Sequence, residues 1–99
     1  MEADFDDESL RRLESDLSYD GGFGREVVKA FRKRLQLIRS APDERDFYAL
    51  KSLHFEKLQG ELEGHYSMRL NLQWRLILRL AKRDDDKKTA VIVSIADYH

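Results

Sequence analysis

Arg69 and Arg75 lie in segments that alternate apolar and polar residues, and the sequence closes on Asp97, Tyr98 and His99. An imidazole with an ordinary pKa of about 6.5 gives and takes protons near neutrality. A guanidinium grips phosphate oxygens through a planar fork of donors. Together these are the parts needed to cleave RNA without a metal. One group takes the proton of the 2′-hydroxyl, another protonates the leaving oxygen, and cations meet the charge that builds on the phosphorane. A solvated pair of surface arginines, with Tyr98 capping the core and His99 carrying no role, explains the same residues, and spacing alone favours that plainer reading.

These side chains act together only if the elements bring them together. Tyr66, Met68 and Leu70 alternate with Ser67 and Arg69, and Trp74, Leu76, Leu78 and Leu80 alternate with Arg75, Ile77 and Arg79. Alternation of period two predicts half-buried strands, and Asn71, Leu72 and Gln73 between them predict a tight hairpin. With the leucine series turned inward, Ser67, Arg69, Arg75 and Arg79 share the uncovered face. Arg69 and Arg75, each about two residues from the turn, then become neighbours across the ladder. The run Thr89 to Ile95 is β-branched and apolar enough for a central strand. Laid beside the Trp74 strand, its end would deliver Asp97, Tyr98 and His99 to an edge of the sheet.

Ahead of the strands, "ADFDD" at 3–7 predicts a short first strand, with Asp7 or Ser9 capping a helix. Leu10, Leu13 and Leu17 form its apolar stripe, and Gly21 and Gly22 end it. From Arg25 to Arg39, Val28, Phe31, Leu35 and Ile38 repeat at helical spacing, and Ala41 before Pro42 stops the helix. A short helical turn is expected at Phe47 to Leu50. This order implies an α+β fold: two N-terminal helices packed on one face of a small, mostly antiparallel sheet, with a short N-terminal strand.

Ninety-nine residues predict one domain over 1–99. The absence of cysteine excludes disulfides, thiol nucleophiles and zinc-thiolate sites. The acidic opening MEADFDDESL lacks the basic start and apolar run of a secretory signal, and no apolar segment is long enough to span a bilayer. A cytoplasmic protein with no membrane partner is therefore expected. Net charge is −1, but residues 1–20 hold eight acidic and two basic residues (−6), and the remainder sixteen basic and eleven acidic (+5). That asymmetry fits either a polyanion partner or an ordinary solvated surface.

The remaining candidates carry less. His54 and His65 have no carboxylate at ligand spacing and make no metal site. Trp74, among leucines, reads as core. The basic helix 25–39 reads as a solvated face, and "LQGELEG" lacks phosphate-loop spacing and reads as a turn.

The segments "FEKLQGELEGHYSMRLNLQWRLIL" (55–78) and "IVSIADYH" (92–99) resemble the HigB, or plasmid-killer, branch of the RelE/ParE toxin superfamily. In that branch L-K-G-D, then G-x-Y-S-I-R-I-N, then Q-W-R precede a terminal D-Y-H. The resemblance implies a RelE-like fold and a type II toxin that cleaves messenger RNA, generally on the translating ribosome, without cofactor or metal. It also implies a HigA-like helix-turn-helix antitoxin, through which alone operator DNA would be contacted. By motif position Arg69 and Arg75 would hold the scissile phosphate, and Asp97, Tyr98 and His99 match the positions associated with cleavage. The family's lysine is Gln59 here and its aspartate Glu61. Lys57, of the same strand parity as Gln59, is expected to substitute for that lysine, with Gln59 and Ser67 as further substrate-binding positions. A histidine that some members carry three residues before the lysine falls on Glu56, and His54 is out of register. Two other readings are a ParE-like, non-catalytic inhibitor of DNA gyrase and an inactive relative that only binds its antitoxin.

Overall fold

The computed structural model describes residues 1–97 of the chain. Strand β1 (Glu2–Phe5) precedes helices α1 (Glu8–Ser15), α2 (Arg25–Ser40) and the short α3 (Arg45–Ala49). Strands β2 (Glu56–Lys57), β3 (His65–Arg69), β4 (Trp74–Lys82) and β5 (Lys88–Asp97) follow, with 3₁₀ turns at Lys51–Leu53 and Gly60–Leu62. The sheet order is β1-β5-β4-β3-β2, with β1 parallel to β5 and the other neighbours antiparallel. This is the expected α+β arrangement with one addition, the two-residue strand β2, too short to leave any periodicity in the sequence.

Helix α1 begins where Asp7, in extended backbone, accepts hydrogen bonds from Ser9 N at 2.8 Å and Ser9 Oγ at 2.6 Å. Leu10 and Leu13 are buried, but Leu17, expected on the same stripe, is 79% exposed. The helix ends at Ser15 because the Asp16 carboxylate accepts from Ser18 N and Ser18 Oγ, a local turn that competes with another turn of helix. Helix α2 lies within a residue of its expected span and buries Val27, Val28, Phe31, Leu35 and Ile38. Ala41, held extended at ψ 137° before Pro42, stops it.

The core lies between these helices and one face of the sheet. Phe5, Met68, Leu76, Leu78, Ala90 and Ile92 are buried in it, with Tyr66, Trp74, Leu80 and Ile95 packed against it. Each fully buried leucine or phenylalanine contributes about 1.5–3 kcal/mol. Ile92 and Ile95 are three residues apart yet both join the core, because a bulge interrupts the β4–β5 ladder: Leu78 opposes Ile92, whereas Ile77 opposes Ser94. Beyond the bulge Ala96 stands opposite Arg75, and Asp97 opposite Trp74.

Candidate active site

Arg69 and Arg75 are direct cross-strand partners. Opposed residues leave a sheet on the same side, so both guanidiniums rise from the face turned away from α1 and α2. The hairpin that sets this register is held by Asn71, whose side-chain oxygen accepts from Gln73 N at 2.9 Å and Trp74 N at 2.7 Å. From the helix side, Arg34 Nε donates to the Arg69 carbonyl at 2.9 Å, and burial pulls that guanidinium below its usual range.

Around Arg75 this face is not the open, solvated surface that alternation implies. Arg75 is only 7% exposed and Ser67 1%. The reason is β2, which adds to the free edge of β3 with Glu56 opposite Ser67. Arg75 Nη2 reaches across β3 and donates to Ser67 Oγ at 2.9 Å, the His54 carbonyl at 2.7 Å and Glu56 Oε1 at 3.3 Å. A guanidinium taken out of water requires acceptors of this kind. The Glu56 side chain itself stays 53% exposed, so its carboxylate faces both the guanidinium and solvent.

Glu56 is the functional candidate that the residue pattern did not single out. Its one sequence signal is positional, since it occupies the place where some family members carry a histidine. A carboxylate accepts a proton as an imidazole does, and here it stands against a buried guanidinium.

The other expected residues divide. Ser67 joins Arg75 as an acceptor. Lys57 does not come beside Arg75. It pairs with Tyr66 and so leaves the sheet on the opposite side from Ser67, which corrects the expectation that it stands in for the missing family lysine. Gln59 precedes the Gly60–Leu62 turn, and with Lys57, Leu58, Gly60 and Glu63 it lines a separate shallow cavity of about 460 Å³. Asp97 stands with Trp74 rather than with the arginine pair, and its Oδ2 accepts from Gln73 Nε2 at 3.1 Å. Tyr98 and His99, expected in the site, fall outside the described residues.

The acidic opening does not form a field of its own. Glu2 pairs with Arg83 at 2.7 Å, Asp6 with Arg79 at 3.2 Å, and Asp4 and Glu8 with Arg11 at 2.9 and 3.1 Å. Among the described residues no helix is long and apolar enough to cross a membrane, and no cluster of three His, Cys, Asp or Glu could hold a metal ion.

Comparison with solved structures confirms the architecture. The chain aligns over its full length with all of a YoeB/ParE toxin from Agrobacterium tumefaciens, at 16% identity and a TM-score of 0.62. It aligns over its full length with 97% of the matched chain in a YoeB-YefM complex from Staphylococcus aureus, at 22% identity and a TM-score of 0.59. A YoeB dimer from Staphylococcus aureus is similar at 23% identity and a TM-score of 0.51, again over the full chain and 97% of that chain. At these identities the likeness is one of fold. Curated protein sequences give no match. The family described as "RelE-like toxin of type II toxin-antitoxin system HigB" matches residues 3–99. With nearly the whole chain covered by that match, the protein belongs to the HigB-like family of RelE-like toxins of type II toxin-antitoxin systems.

Proposed function

We propose that this toxin, acting as one domain over 1–99, is an endoribonuclease that cuts messenger RNA on the translating ribosome, with a side-chain-only mechanism. The observation that carries the reading is the Arg75 guanidinium, buried beside the exposed Glu56 carboxylate and opposite Arg69. An anion is the ligand that would relieve the repulsion between two adjacent guanidiniums. With the scissile phosphate on Arg69 and Arg75, a base takes the 2′-hydroxyl proton and the 2′-oxygen attacks phosphorus. The bond to the 5′-oxygen breaks, and an acid protonates that oxygen. The products are a 2′,3′-cyclic phosphate and a 5′-hydroxyl.

Glu56 is the proposed base by its place beside Arg75. His99, with Tyr98 and Asp97, is proposed for leaving-group protonation and transition-state contacts by motif position. Lys57 and Gln59, away from the arginine pair, are proposed to contact flanking RNA. The site offers charge but only part of the alignment, and a ribosome that presents the message in order would supply the rest. Such a target places the protein in the cytoplasm. The YoeB-YefM complex is a toxin bound to its partner. For this chain the proposed partner is a HigA-like helix-turn-helix antitoxin, with operator DNA reached only through it.

Primer extension on translated messages tests the reading, with wild type, Arg75→Ala, Glu56→Gln and His99→Ala compared, and a gyrase supercoiling assay run in parallel. Each substitution is expected to lower cleavage by about 10²–10⁴-fold, the usual range for general acid–base groups. Undiminished cutting in all three variants removes the roles assigned to these residues, and inhibition of supercoiling without any cutting refutes the nuclease reading.

A further inference from the structure

His54 has a left-handed backbone, φ 47° and ψ 48°, a conformation that few residues other than glycine adopt, although histidine, asparagine and aspartate tolerate it better than most. Its neighbours force the corner. Leu53 and Phe55 are both buried, and Phe55 stacks on Tyr66 at 5.2 Å with the rings 2° from parallel. The chain must therefore leave the core, turn and re-enter within one residue. His54 N closes the preceding 3₁₀ turn by donating to the Lys51 carbonyl at 3.1 Å. The His54 carbonyl then meets Arg75 Nη2 at 2.7 Å, and two residues on, the Glu56 carboxylate reaches the same nitrogen. Two of the acceptors of Arg75 thus come from one corner of chain.

We propose that the left-handed turn at His54 is a positioning device for Arg75: the main chain of residue 54, and not its imidazole, aims the guanidinium at the phosphate. The inference rests on the reading of Arg75 as the phosphate-holding cation. It assigns His54 a role that neither metal binding nor acid–base chemistry describes. Backbone preference, rather than side-chain chemistry, must then govern which residues position 54 accepts. Glycine and asparagine keep the turn, alanine weakens it, and β-branched valine opposes it.

The test uses purified full-length protein carrying His54→Gly, His54→Asn, His54→Ala or His54→Val. The exchange-protected side-chain NMR signal of Arg75, assigned by its loss in Arg75→Ala, is read beside cleavage of a translated message. The glycine and asparagine variants are expected to keep both the signal and near wild-type cutting. Valine is expected to lose the protection and about 10²-fold of the cutting, as misplacement of a catalytic group does, with the core amide pattern unchanged. Should valine fail to fold, alanine decides, with an intermediate loss of protection expected. Glycine and asparagine losing as much cutting as valine would overturn the proposal, because the imidazole would then be acting. An Arg75 signal untouched in both valine and alanine would overturn it as well. If the nuclease reading fails instead, no variant cuts, yet the NMR series still reports whether residue 54 holds Arg75.

Discussion

Ser67 shows how much a single small side chain can carry. Its hydroxyl is buried between strands and accepts from Arg75 Nη2 at 2.9 Å. Ser67→Ala removes that acceptor without opening space for water. The expected cost is about 0.5–1.5 kcal/mol, the usual net worth of one hydrogen bond, because the His54 carbonyl and Glu56 still accept from the same nitrogen; it is read as a lower urea midpoint. Cutting should fall with it, and a midpoint identical to wild type would show that the hydroxyl is not holding the guanidinium. At this scale the Arg69–Arg75 pairing was legible, since alternation and a three-residue turn define the register. The acceptors of Arg75 were not. Glu56 and the His54 carbonyl reach it through a two-residue strand, and two residues have no period. Lys57 went astray for the same reason: its parity was counted from Gln59, whereas its side is set by pairing with Tyr66.

Among the elements, α1 separates two leucines that the sequence presents as equals. Leu13 is fully buried and Leu17 lies past the end of the helix in solvent. Leu13→Ala is therefore expected to cost about 2–5 kcal/mol in chemical denaturation, whereas Leu17→Ala should stay within about 0.5 kcal/mol of wild type. Equal losses would mean that the stripe continues as the spacing alone suggests. The phase of β5 was hidden for a different reason. Val91, Ile92 and Val93 are all apolar, so nothing in the run marks where alternation slips. The bulge there sends Ile95 into the core and sets Ala96, rather than Ile95, opposite Arg75. The helix and strand order survived because longer segments carry many repeats of their own period.

Over the whole molecule, charge is arranged in pairs. The acid surplus of residues 1–20 is met by partners far along the sequence, since contacts such as Glu2–Arg83 and Asp6–Arg79 span most of it. The carboxyls of Asp4, Asp7 and Asp16 are held below their ordinary range chiefly by backbone and hydroxyl hydrogen bonds, and Glu44 by Lys88. Asp43 is lowered to about 2 by its hydrogen bonds with Arg45. Groups depressed in the folded state stabilise it fully above their unfolded pKa of about 3.9–4.3, and lose that contribution as pH falls through the folded value. The urea midpoint should thus be flat from pH 7 to pH 5 and decline between about pH 4 and pH 2, more gently in high salt. A midpoint unchanged at pH 3 would contradict this.

The parallel pairing of Glu2–Phe5 with Thr89–Ile92 has a consequence for how the toxin comes into being. Residues 2–5 pair with residues 89–92, so this side of the sheet closes only when segments far apart in the sequence meet. Such non-local closure is slow, and it waits until the later strand is available to pair. A nascent copy therefore lacks its completed sheet until the Lys88–Asp97 strand has emerged. The emergence of that strand is also the earliest moment at which the toxin offers a folded surface for a partner to seize.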